Sequence, residues 1–467
     1  MLLHRFYARR HALLAESRAL LGLAIPMMVA QIAQVATGFV DTVMAGRVGT
    51  TDLAAVSIGA SVLITVTISL AGMVMALNPI ISHHFGADER HHIASSVRQG
   101  LWNALLLGGL GAGGMLLFAV YLPDILSLSP QVEAMTYTYL VGAATGVPAF
   151  LLYRVFHACL SSINLTRPIM VTSLVALALN VPLNYVFIHG LWGLPALGGA
   201  GCGWATAMVY WFSLLVLAGY CAWSPKVRPL AIFGRFEWPS LALQRTIVRL
   251  GTPIAFSFFL EVSAFTFVAM LITPFGETVV AGHQVVINFS ALIYMIPQSL
   301  ATALSVRVGQ TIGAGDYVEA RFKSGAGLLT GLVLALITSA LVLAGNVSIA
   351  SIYSTDPAVI ALAAHLLLFS AVFQFSDAAQ TIASGALRGY RITSVPMMIH
   401  AVSFWGIGLG LGVILGLMLP VRPEWGWSGP LGVEGFWAAL VLSLTVAAVL
   451  LVWYLNRISR LRLIRQH

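Results

Sequence analysis

Twelve apolar runs, each long enough to cross a lipid bilayer, recur along the whole chain and constrain its fold more than any other feature. They lie at about 19–45, 53–81, 99–122, 132–158, 169–188, 196–222, 247–273, 280–306, 324–345, 358–387, 395–419 and 435–456. A spanning helix needs about 20 predominantly apolar residues, and each run supplies them. Only 9% of the 467 residues are charged, against roughly 25% in a soluble domain, so most of the chain cannot face water. The expected fold is an all-α polytopic membrane protein with twelve transmembrane helices. The longest connection, Trp223 to Thr246, is too short to fold alone. The opening "MLLHRFYARRHALLAESRALLG" is basic but lacks a cleavage pattern, so the first span is expected to stay in the protein.

The net charge of +8 would suit nucleic acid or lipid headgroups, but its distribution points to topology. With the N-terminus in the cytoplasm and sides alternating, 22 of the 24 Lys and Arg residues fall on or near the cytoplasmic side. Arg154, Arg307 and Arg388 join that set from the cytoplasmic ends of their helices. The other side receives Arg47 and Arg422. By the positive-inside rule this fixes the expected orientation, with both termini cytoplasmic, and a missed span would spoil the pattern.

The chain also repeats itself. "LLGLAIPMMVAQ" resembles "RLGTPIAFSFFL", "SHHFGADERHH" resembles "GQTIGAGDYVEA", and "LGGAGCGWATAM" resembles "LGVEGFWAALVL", at an offset of about 227 to 233 residues. The expected organisation is an N-lobe at 1–222, a cytoplasmic linker at 223–246 and a C-lobe at 247–467. Each lobe is a six-helix bundle and the two are pseudo-symmetric. An even number of spans per repeat returns the chain to the same side, so the halves are parallel, as in transporters built from such repeats.

Three acidic residues lie well inside spans: Asp41, Glu261 and Asp377. A charge at the bilayer centre costs about 2.5–3.5 kcal/mol on insertion scales, and such residues line aqueous paths or bind ions. The alternative, a buried ion pair between helices, has few partners, because Arg154 and Arg388 are expected nearer the cytoplasmic ends. Polar stripes accompany the carboxylates. Gln34, Thr37 and Asp41 share a face of span 1, and Ser257 and Glu261 share one on span 7. Gln374, Asp377, Thr381 and Ser384 do so on span 10, Asn180 and Asn184 on span 5, and Gln284 and Asn288 on span 8. Two polar pockets, one per half, are expected. Pro26 removes a backbone hydrogen bond within span 1 and allows either a static kink or a bend that moves Asp41.

Other signals carry less. "GLGAGG" at 109–114 and "GIGLGLG" at 406–412 lie within spans, where small residues serve helix packing, and not after a strand as a dinucleotide fingerprint requires. The pairs His83/His84 and His91/His92 lack the cysteines or carboxylate cage of a metal site, so no metal is expected. Cys159, Cys202 and Cys221 fall within spans and read as core residues. No nucleotide-hydrolysis or catalytic motif is present, so neither an enzyme nor an ATP-driven pump is expected.

"AIPMMVAQIAQVATGFVDTVMAGRVG" in span 1, Glu261 in span 7, "FSDAAQTIASGALRG" in span 10 and "GCGWAT" opening span 6 together resemble the multidrug and toxic compound extrusion (MATE) family, in its NorM-like branch. The resemblance covers nearly the whole chain. It implies a bacterial inner-membrane antiporter that expels cationic lipophilic drugs and dyes by alternating access, in exchange for protons or sodium ions. By the same resemblance Asp41 is the N-lobe carboxylate, with Asn180, Asn184 and Thr206 as polar neighbours. Glu261 and Asp377 are the C-lobe pair that binds the coupling cation. Sodium-coupled relatives carry a tyrosine one turn before the span 10 aspartate; here Phe373 stands there, which favours protons. The expected partners are cationic amphipathic small molecules, the coupling cation and membrane lipid, with no cofactor and no nucleic acid, and a monomer is expected. The same superfamily includes flippases for lipid-linked precursors, but those call for a strongly basic cavity, and these spans offer acids.

Overall fold

A computed structural model describes residues 10–125, 128–418 and 429–464. Arg5, Arg9 and Arg465, counted above on the cytoplasmic side, and Arg422 on the other, lie outside the described residues. Among the described residues every long element is helical and none is a strand. Twelve helices are long and apolar enough to cross a membrane, and the chain is a multi-pass membrane protein. The helices are α1 (Arg10–Val48), α2 (Thr50–Val74), α3 (Leu77–Gly86), α4 (Arg90–Ile125), α5 (Pro130–Ser162), α6 (Arg167–His189) and α7 (Gly201–Trp223). They continue with α8 (Leu241–Leu271), α9 (Glu277–Gly313), α10 (Tyr317–Tyr353), α11 (Pro357–Gly389), α12 (Ser394–His400) and α13 (Val433–Ile464).

Most helices outrun their apolar stretches, as α1 and α9 do at both ends. Helical hydrogen bonds are local, so winding continues into the polar flanks once started. In consequence Pro26 stands mid-helix in α1, and the helix is continuous through it. The second span is broken into α2 and α3. Pro79 has no N–H and its ring crowds the carbonyl of Met75, and the break falls at Met75–Ala76. Beyond α12 the winding widens to π turns over Ala401–Leu411 and Ile414–Met418.

By compactness the chain divides into two units. The first is Ile25–Ala255. The second comprises the described residues of Met1–Ala24 together with Phe256–His467. The first unit is built around α5, which packs on α2, α4 and α7; the second is built around α11, which packs on α9, α10 and α13. These central helices start alike: Ser129 before Pro130, and Asp356 before Pro357. An oxygen-bearing N-cap followed by proline at the first helical position is a favoured start. Both also use glycine for close contact. A Cβ on Gly146 of α5 would lie 2.6 Å from the Ala207 Cα of α7, and one on Gly385 of α11 would lie 2.5 Å from the Ala301 carbonyl of α9. In the second unit Arg307 of α9 donates both to Glu16 Oε1 (2.5 Å) and to Glu16 Oε2 (2.6 Å), and Ser17 bonds Thr330 at 2.8 Å. The first turns of α1 are thereby tied to α9 and α10. Cys159, Cys202 and Cys221 are free and buried.

Candidate functional site

The first unit gathers its polar side chains around Asp41, which is 4% exposed. Asn180 and Asn184, one turn apart on α6, both donate to its Oδ1, at 3.0 and 2.6 Å, and Thr206 of α7 donates to its Oδ2 at 2.9 Å. Asn184 also donates to Asn180 Oδ1 at 3.0 Å. Three of the expected neighbours therefore converge on the carboxylate, while two others do not. Thr37 turns its hydroxyl to the Ala33 carbonyl of its own helix at 3.0 Å, the usual outlet for a mid-helix threonine. Gln34 is half-buried and makes no bond to Asp41. Pro26 lies about four turns away along α1.

The donors around Asp41 are neutral, and among the described residues no Lys, Arg or His comes within ion-pairing distance of it. An isolated buried charge is costly. The cage is suited to a carboxylate that is neutralised by something able to come and go. Asn184 Oδ1 is buried without a partner. A carboxylate only accepts hydrogen bonds, whereas a carboxylic acid also donates one. Rotation of the Asn184 amide would present its oxygen to a protonated Asp41, so this one side chain can serve both states.

In the second unit Asp377 of α11 is 5% exposed and Glu261 of α8 is half-buried. The two carboxylates interact electrostatically. Gln380 donates to Asp377 Oδ1 at 2.9 Å and to Thr381 Oγ1 at 3.0 Å, and its own Oε1 receives the His400 Nε2–H at 2.9 Å. Tyr294 of α9 lies beside Thr381 and lines the same cavity as Asp377. Arg388 lies in the last turn of α11, at the helix end where the sequence places it, and it is buried and within electrostatic range of Glu261 and Tyr294. A long flexible stem lets an arginine head group sit far from its own Cα. No ion pair within 4 Å involves Glu261 or Asp377 among the described residues.

Gln374 is 6% exposed, with neither amide atom partnered. It lines a cavity with Ser290, Tyr294, Thr338, Phe373 and Asp377. Gln284 and Asn288 bond each other at 3.1 Å on an exposed face of α9 and do not join the cluster. Phe373 is buried between the rings of Phe265 (5.9 Å) and Trp437 (6.2 Å), so no hydroxyl reaches Asp377 from that position. Sequence reasoning missed Tyr294, Gln380 and His400. His400 carried a usable signal: a histidine inside an apolar run is as much an intramembrane ionisable group as the carboxylates. It sits where α12 gives way to π winding, a feature frequent at functional sites.

A family model described as MatE matches residues 26–186 and 253–414. The two matches start 227 residues apart, at the offset of the internal repeat. A "Probable multidrug resistance protein NorM" of Chromobacterium violaceum is 56% identical over 458 residues, 98% of this chain and 97% of that relative. "Multidrug resistance protein PmpM" of Pseudomonas aeruginosa is 43% identical over 453 residues, 97% of this chain and 94% of that one. Among solved structures, the MATE transporter NorM-NG, in complex with a monobody, superposes with a TM-score of 0.79 at 44% identity, covering 94% of each chain.

Proposed function

The chain belongs to the MatE family of membrane transporters, a transporter and not an enzyme, and on that premise we propose that it exports cationic lipophilic drugs and dyes by antiport against a coupling cation. One observation carries the proposal. Asp41 is buried in a cage of three neutral donors with no cation beside it. Either a proton or a positively charged cargo can neutralise it, and the two exclude each other. Arrival of one releases the other, which is exchange. Aromatic ring faces attract delocalised cations, and Tyr294 and Phe373 line the cavity beside Asp377, so one pathway can serve many cargoes.

Protons are the favoured coupling ion. Glu261 and Asp377 form the coupling pair, and the hydrocarbon ring of Phe373 withholds a ligand that a sodium ion would use. Gln34, Thr37, Gln284, Asn288 and Gln374 are proposed to meet cargo along the pathway, and Pro26 to allow α1 to bend. Orientation follows the charge asymmetry, with both termini in the cytoplasm of a bacterial cell and the protein in its inner membrane.

The test is efflux of a cationic rhodamine dye from proteoliposomes, driven in turn by a proton and by a sodium gradient. Wild type is compared with Asp41→Asn, Glu261→Gln and Asp377→Asn. Proton-driven efflux lost in the variants is the expected result. Sodium-driven efflux would overturn the proton preference and keep the antiporter. No gradient-dependent movement would overturn antiport and bring back a flippase for a lipid-linked precursor.

A further inference from the structure

The segment 224–240, between α7 and α8, is not a slack linker. It is strapped along the first turns of α4. Arg98 donates to the Ile232 carbonyl at 2.6 Å, to Glu237 Oε1 at 2.7 Å and to the Ala231 carbonyl. Ser95 donates to Glu237 Oε2 at 2.9 Å, Trp102 Nε1 to the Glu237 carbonyl at 2.9 Å, and Gln99 Nε2 to the Trp238 carbonyl at 2.9 Å. The Ser240 N–H returns to Gln99 Oε1 at 2.8 Å. Val227, Leu230 and Ile232 are buried beneath it. Side chains of α4 thus satisfy much of the strap's backbone and its single acid.

What the strap leaves outward is of two kinds. Trp223, Phe236 and Trp238 are 82%, 68% and 76% exposed. Phe236 and Trp238 meet edge-on at 5.1 Å, and Trp238 lies parallel to Trp102 at 6.3 Å. Lys226, Arg228 and Arg235 are also exposed. Glu237 is already held by Arg98 and Arg235, so Lys226 and Arg228 have no acidic partner among the described residues. Depth follows from connectivity. The strap runs from the end of one spanning helix to the start of the next, and it is fastened where α4 passes from its polar end into its apolar run. That is the level of the headgroups, where tryptophan is enriched.

We propose that this strap is a binding surface for anionic phospholipid. Lys226, Arg228 and Arg235 hold the phosphate-bearing headgroup, and Trp223, Phe236 and Trp238 lie against the adjoining glycerol and upper acyl chain. Charge complementarity selects this occupant: three outward cations face a surface with no uncompensated acid, and a zwitterionic headgroup would bring a positive charge against them. The surface belongs to the first unit alone and acts independently of which ion drives transport.

Native mass spectrometry of the full chain in detergent, supplied with phosphatidylglycerol or phosphatidylcholine, tests this directly. Wild type should retain the anionic lipid preferentially. Each cation in contact with the headgroup contributes roughly fivefold, so Lys226→Gln/Arg228→Gln/Arg235→Gln should lower that preference by about a hundredfold. The double variant Lys226→Gln/Arg228→Gln, which touches no ion pair, should lower it in the same direction and covers the case in which the triple variant misfolds. Arg18→Gln/Arg457→Gln/Arg462→Gln removes equal charge elsewhere and should change it less than about twofold. Absence of preference in the wild type overturns the proposal. So does an equal loss in the charge-matched control, which would mean that basic charge anywhere on the protein suffices.

Discussion

Both units bury carboxylates, but they keep them in different company. Asp41 is alone, held by three neutral donors from α6 and α7. Glu261 and Asp377 are two carboxyl groups within electrostatic range of each other, with Arg388 in range of Glu261 and a hydrogen-bonded chain running from Asp377 through Gln380 to His400. The first arrangement has no internal cation, and its neutralising partner must come from outside. The second carries part of its compensation in its own scaffold. A duplicated fold has thus kept its packing and let its polar sites diverge. The contrast argues that the first site answers most directly to a cationic cargo.

The largest effect expected from that contrast is in cargo affinity. Asp41→Asn should weaken binding of a cationic rhodamine dye, read by fluorescence anisotropy, by about tenfold or more, since an interaction with a charged group is worth about 1.5–3 kcal/mol. Glu261→Gln should weaken it much less. Equal losses would erase the functional difference between the units. Packing should show the opposite, a likeness. Gly146→Ala and Gly385→Ala each force a methyl group against neighbouring backbone and should each cost about 3 kcal/mol in denaturant unfolding. A large cost in one unit only would break the equivalence of α5 and α11.

Smaller effects sharpen the difference. His400→Leu leaves the Gln380 carbonyl oxygen buried without a donor and should cost about 1–2 kcal/mol, whereas His400→Gln, which keeps a donor, should recover most of it. Smallest is a pH response in the strap of the first unit. Burial works against the Glu237 charge, but the Ser95 hydroxyl, Arg235 and Arg98 outweigh it and hold this carboxyl below its ordinary 4.5. A lowered acid stabilises above its unfolded value and loses that contribution as pH falls through the lowered one. A spin label at Gly234→Cys should therefore gain mobility only below the ordinary carboxylate range, and Glu237→Gln should abolish the transition.

The spans, their number and the repeat were legible in the sequence because bilayer solvation writes them in composition alone. Asp41 as an intramembrane acid and the Asn180–Asn184 face were each legible from the residues, and their grouping came from the family resemblance. Thr37 and Gln284 show the limit of helical spacing, which states which residues share a face but not what the face meets. Thr37 bonds its own backbone, and Gln284 bonds its neighbour Asn288. Arg388 and His400 were not legible as site residues. One comes within electrostatic range of Glu261, the other meets Asp377 through Gln380, and neither relation is a spacing along one helix.

The covalent path has a consequence for anyone who divides the molecule. Glu16 and Arg307 grip each other inside the second unit, yet they stand 291 positions apart along the chain, and the whole first unit is threaded between. A single scission in the strap would therefore not release two independent folding modules. It would yield an amino-terminal fragment that carries a missing piece of its counterpart, and a carboxy-terminal fragment left with a socket at Arg307. Split in this way, the protein becomes a complementation system, in which neither polypeptide matures fully without the other in the same membrane.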